Sequence, residues 1–133
     1  MEESLRHNYS EAANSYRHFS GLRFAIVSVY VAVVGTLGGV AIGVVGGPPR
    51  IPVIRFAAGA ALLVTACFFT CEIACDRSRR HFITIMRELE PELGYTTMQR
   101  FPMPAPFTAT WAFRILYIFN LVLWTWVLIR GEI

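Results

Sequence analysis

Residues 24–45 run for 22 positions without a charged side chain and consist mostly of Val, Ala, Ile, Leu and Gly. A stretch of this length matches the ~20 apolar residues that carry an α-helix across the hydrocarbon layer of a bilayer. In that layer only a helix or a closed barrel satisfies its own backbone. Two further runs lack charge, residues 56–71 and 115–129. Each falls short of a span alone, but both reach it when extended to residues 53–75 and 108–130, with Arg55, Glu72 and Arg114 near the ends where long side chains meet headgroups. Composition agrees: 55% of the 133 residues are hydrophobic, 16% are charged, and the mean hydropathy is +0.49, beyond the range of ordinary soluble domains. The sequence therefore predicts an all-α integral membrane protein. It has three transmembrane helices, an amphipathic N-terminal helix and a cytoplasmic helical extension of the second span.

The segments follow in order. Residues 1–23 place Leu5, Tyr9, Ala12, Tyr16 and Phe19 at steps of four and three, an amphipathic helix. It joins the first span, residues 24–46, with only Gly21 to bend the junction. The polar lead and the length of the apolar run argue for a retained segment rather than a cleaved signal, whose apolar core is about 7–15 residues. Residues 47–52 read as an external turn, because paired glycines and prolines cannot continue a helix. The second span, residues 53–75, has no breaker at its far end. It continues as a helix over 76–93, where Phe82, Met86, Leu89 and Leu93 repeat at helical spacing, and Pro91 and Gly94 mark its end. A proline-rich return, 94–107, leads to the third span and a short external C-terminus, 131–133.

Arginine placement sets the expected orientation, since the chain has no lysine. Arg6, Arg17, Arg23, Arg77, Arg79, Arg80, Arg87 and Arg100 fall on one side of a three-span topology, and Arg50, Arg55 and Arg130 on the other. The positive-inside rule then puts the N-terminus in the cytoplasm of a cell with this protein in its inner membrane, and the C-terminus outside.

Six glycines occupy the thirteen residues 35–47, with Gly35, Gly39, Gly43 and Gly47 four apart. In water such a helix is poor. In a bilayer, small residues every fourth position let helix backbones approach closely, so the ridge is expected to be a packing surface for span two, where Gly59 sits in a small-residue stretch, or for another copy. Three spans cannot enclose a sizeable path, and self-association is the economical way to build one.

Polar residues inside the spans are few. Asn120 needs a partner or water, most simply across a helix pair, and Glu72 is expected to link to Arg79 or headgroup water. Cys67, Cys71 and Cys75 share one helix face and read as small packing residues, with metal binding or palmitoylation as sharper alternatives. Arg77, Arg79, Arg80 and His81 form a basic cluster suited to a topology role, to anionic lipid headgroups, or to a cytoplasmic protein, nucleotide or RNA. Glu88, Glu90 and Glu92 lie farther out, where they would ring the mouth of a cytoplasmic vestibule and enrich cations.

No phosphate loop, nucleophile elbow or paired metal-ligand motif is present, and no cofactor is expected. The run "DRSRRHFITIMRELE" resembles the Glu/Arg/His stretch of the membrane-associated eicosanoid and glutathione metabolism proteins. That resemblance implies a small trimeric helical enzyme binding glutathione through arginines. The layout as a whole is similar to small bacterial membrane effectors that oligomerise into pores. The leading expectation is a homo-oligomeric channel or pore. A non-conducting assembly or regulatory subunit, and a small enzyme acting on glutathione or lipid-like substrates, are the alternatives.

Overall fold

The computed structural model describes residues 2–44, 50–96 and 109–131. These form three helices, α1 (Glu2–Ala41), α2 (Ile51–Leu93) and α3 (Ala109–Arg130), and no strand among the described residues. All three are long and apolar enough to cross a membrane by length and composition. At 1.5 Å per residue, α3 with its 22 residues rises ~33 Å, about one hydrocarbon thickness. The 40 residues of α1 and 43 of α2 rise ~60 and ~65 Å, twice what a span requires. Their excess forms a paired helical arm at the arginine-rich end.

α1 passes through Gly21 without interruption, so the amphipathic segment and the first span are one rod. It stops earlier than residue 46. Gly43 adopts φ 77°, and the amides of Gly43 and Val44 donate to the carbonyls of Val40 (3.2 Å) and Gly39 (2.9 Å). This left-handed cap satisfies carbonyls that the helix end would otherwise orphan, and glycine is the residue that takes such a φ without a Cβ penalty. Gly43 therefore belongs to a cap and not to a helical ridge. Gly47, most of the predicted turn and the return loop from residue 97 lie outside the described residues.

α2 begins after extended Arg50 with Pro52 in its first turn, where a missing N–H costs nothing. It ends on the same kind of cap: Gly94 has φ 68°, and Tyr95 donates to the Glu90 carbonyl at 2.9 Å. α2 is the central helix, packed against both α1 and α3.

Packing is layered along α2. Near the helix ends at Ala41 and Ile51, Ala41, Ile54, Ala57, Ala58 and Ala61 meet Trp124 and Val127 in an apolar cluster. An aromatic layer follows, with Tyr30 and Tyr117 rings 4.6 Å apart, Phe68 and Phe69 beside them, and the Tyr30 and Thr65 hydroxyls 3.2 Å apart. A charged layer comes next. In the arm beyond it, Phe19 stacks on Phe82 at 5.8 Å, Met86 and Ala12 are buried, and Tyr9 donates to Glu90 at 3.2 Å. Both arm helices carry acids at their far ends, yet close like-charge contact is relieved locally. Glu2 and Glu11 pair with Arg6 and His7 of their own helix, and Glu90 takes the Tyr9 hydroxyl. Burial, with the Glu90 charge beside it, pushes the Tyr9 phenol above its usual range.

Candidate functional site

In the charged layer all three helices contribute to one ion-pair network: Arg23 from α1, Glu72 and Asp76 from α2, Thr110 and Arg114 from α3. Arg23 of α1 points inward and is 4% exposed. Its Nε donates to Glu72 Oε1 at 2.6 Å, its Nη2 donates to the same oxygen, and its Nη1 donates to Thr110 Oγ1 of α3 at 3.0 Å. The guanidinium also lies 5.0 Å from the Phe113 ring centroid, a cation–π contact. One turn further along α2, Asp76 gathers Arg79 on Oδ1 at 3.0 Å and Arg80 on Oδ2 at 3.0 Å, with Arg23 at 3.9 Å. Arg114 of α3 reaches the same Oδ2 at 3.4 Å.

Local sequence explains this geometry. Glu72 and Asp76 stand four apart, on one helical face. Arg79 and Arg80, three and four residues after Asp76, are its natural intrahelical partners. Burial acts most strongly on Asp76 and raises its pKa. The hydrogen bonds from Arg79 and Arg80 and the charges of Arg80 and Arg23 together outweigh that and hold the carboxyl below its usual range.

The Glu72 expectation is corrected here: its partner is Arg23 across the helix pair, not Arg79 or headgroup water. Arg23, read from sequence as an orientation-setting charge, is the residue that sequence reasoning missed, together with Asp76, Thr110 and Arg114. Within the basic cluster, Arg79 and Arg80 are engaged by Asp76, while Arg77 and His81 are exposed. Among the acids, Glu88 and Glu92 are exposed, but Glu90 is fully buried in the arm and cannot stand at an open mouth. Asn120 donates to the Leu116 carbonyl of its own helix at 2.9 Å rather than across to another helix. Cys67 and Cys71 are exposed and Cys75 is buried, with no metal-holding group of His, Cys, Asp and Glu among the described residues.

The glycines divide. Gly35 is exposed and a Cβ there would meet nothing within 4 Å, as is also true at Gly38 and Gly59. Inside the chain the close helix approach is made by alanines instead: Ala41 against the cluster of Ala57, Ala58 and Ala61.

Three buried polar atoms in or beside the charged layer lack a hydrogen-bond partner, Glu72 Oε2, Arg79 Nε and the Tyr117 hydroxyl. A buried hydroxyl left unpaired carries a desolvation cost of about 1–3 kcal/mol. Tyr117→Phe is therefore expected to leave stability unchanged or raise it by about 1 kcal/mol, measured as the denaturant midpoint in detergent. A loss above 1 kcal/mol would mean that the hydroxyl has a partner, such as a water shared with Glu72.

Compared with known proteins, the chain matches no family model, no curated protein and no solved structure.

Proposed function

We propose that the protein is a homo-oligomeric, channel-type membrane protein whose copies meet through the face of α1 that points away from α2. The arginine-rich arm lies in the cytoplasm and the C-terminus outside. The observation that carries this reading is the exposure of Ala25, Ser28, Ala32, Gly35 and Thr36. At 100° per residue these five fall within about a third of the helix circumference, opposite the face that holds Arg23, Tyr30 and Ala41 against the rest of the chain. Small side chains on a lipid-facing surface gain nothing from lipid, but they suit close contact with another helix.

The charges of the single chain support the same reading. Arg23 and Glu72 seal the only strongly polar layer of the described spans by pairing with each other, so a path for ions is more readily formed between copies than through one. On the small-residue face, the Ser28 and Thr36 hydroxyls donate to the Phe24 and Ala32 carbonyls at 2.9 Å. Their oxygens remain as acceptors, which favours cations over anions. Glu88 and Glu92, exposed on the arm, add negative potential at the cytoplasmic mouth.

Purified protein should run as a single symmetric oligomer by native mass measurement and conduct cations in planar bilayers. Glu88→Gln with Glu92→Gln should reduce cation selectivity at low salt, with a smaller effect above physiological ionic strength, where screening acts over ~8 Å or less. An oligomer that never conducts would instead support the non-conducting assembly subunit. A monomer copurifying with a constant partner would transfer the small-residue face to that partner's helix.

A further inference from the structure

Arg80 and Arg114 come from different helices and converge on a single oxygen, Asp76 Oδ2, at 3.0 and 3.4 Å. Their exposure differs sharply from that of the carboxylate they share. The Asp76 side chain is 4% exposed, while those of Arg80 and Arg114 are 56% and 32% exposed. Each guanidinium has five N–H donors in a fixed fork, so most of the donors on both remain free to face outward. Arg79 also binds Asp76, so three cations answer one anion, while Glu72 is answered by Arg23. Two positive charges are left over at this level. Asp76 holds the two guanidiniums together, and a second anion on the outer side would complete the arrangement.

Position and surroundings indicate which anion. The cluster lies where the charge-free run of α2 ends at residue 71 and that of α3 begins at residue 115. The Arg114 guanidinium is 6.0 Å from the Trp111 ring centroid, and Trp111 is itself half exposed. Tryptophan at such a boundary sits at headgroup depth. From Trp111, an exposed apolar strip runs down α3 through Ile115, Ile118 and Val122, spaced by four, three and four, so the three isoleucine and valine side chains lie below the arginines on one face. Phosphate at the top and an acyl chain along the strip is the ligand shape that this arrangement accepts.

We propose that Arg80 and Arg114, held together by Asp76 beside Trp111, bind the phosphate of an anionic phospholipid whose acyl chain lies along the Trp111–Val122 face of α3. The site is complete within one chain and does not depend on assembly. It differs from the cluster read from sequence: Arg79 is turned to Asp76 and 81% covered, and Arg114 of α3, 35 residues further along the chain, takes its place. A net-anionic headgroup is preferred over a zwitterionic one, because the surplus charge is not neutralised by a lipid that brings its own cation.

The test is native mass spectrometry of the full chain in non-ionic detergent, titrated with phosphatidylglycerol or phosphatidylcholine of identical acyl chains, and with inorganic phosphate. Wild type should retain phosphatidylglycerol in preference to phosphatidylcholine. Arg80→Gln with Arg114→Gln should weaken that retention about 30-fold, a factor of about five for each arginine near an anionic headgroup. Arg6→Gln, at the far end of the arm and paired with Glu2, should leave retention unchanged. Arg80→Lys with Arg114→Lys keeps both charges should the glutamine variant fail to fold, and should retain the lipid more weakly than wild type, since an ammonium lacks the planar fork. Equal retention of the two lipids, or undiminished phosphatidylglycerol binding in both double variants, would overturn the proposal. Displacement of the lipid by millimolar inorganic phosphate would assign the site to a soluble anion instead.

Discussion

Arg23→Leu should destabilise the fold by about 3–5 kcal/mol, the range seen when one member of a buried ion pair is removed. Glu72 is fully buried, its Oε2 already lacks a partner, and Arg23 supplies both hydrogen bonds to its Oε1. Without the guanidinium, an unpaired carboxylate remains among helices, and Thr110 loses its donor as well. Glu72→Leu should cost less, because Arg23 keeps Thr110 and can close the 3.9 Å gap to Asp76. Replacing both residues by leucine should recover most of the loss of the worse single change, since an apolar pair of similar volume carries no desolvation cost. The measurement is the reversible unfolding midpoint of the four proteins in one detergent, read as a double-mutant cycle. Additive losses would show that the two residues do not act as a pair.

This pair also shows what the sequence could and could not reveal. The three helices of spanning length, the continuation of the second into an arm and its stop at Gly94 are local features, written in runs of apolar residues and a helix-ending glycine, whereas Pro91 lies inside α2 and does not end it. They needed no knowledge of neighbours. Arg23 and Glu72 are 49 residues apart, and their meeting depends on the register of two antiparallel helices. A usable signal was present. Arg23 lies about as far before the "GGPP" turn as Glu72 lies after it, and a hairpin places such residues at one level. The same symmetry matches Tyr30 with Thr65, whose hydroxyls meet in the aromatic layer, whereas farther out in the arm the pairing drifts by several residues, to Phe19 with Phe82 and Tyr9 with Glu90. Counting charges by side for orientation hid it, because that rule treats every arginine as a solvent-facing marker. Arg114 had no such signal, since the chain between α2 and α3 leaves their relative register undetermined. Gly43 was misread for a different reason: fourfold spacing in sequence is helical spacing only while the helix lasts, and a left-handed cap breaks the series after Gly39.

Gly35→Leu should leave the fold of the single chain intact while reducing the assembly to smaller species, and Ala41→Leu should do the reverse damage first. The two positions are six residues apart on α1 and differ in what surrounds them. Gly35 is exposed, its added Cβ would touch nothing within 4 Å, and leucine is a better helix former than glycine by up to about 1 kcal/mol. A leucine there holds neighbouring backbones apart if another copy packs on that face. Ala41 is completely buried against Ala57, Ala58 and Ala61, with Trp124 and Val127 closing the cluster. Three extra carbon atoms cannot fit without displacing α2 or α3, a strain of about 1–3 kcal/mol or more. Native mass and the unfolding midpoint, recorded for both variants, separate the two faces of one helix. A lower midpoint with unchanged copy number is expected for Ala41→Leu, and an unchanged or higher midpoint with fewer copies for Gly35→Leu. If Gly35→Leu keeps the full wild-type oligomer and its conductance, the outer face of α1 is a lipid surface, and any contact between copies has to be made by α2 or α3.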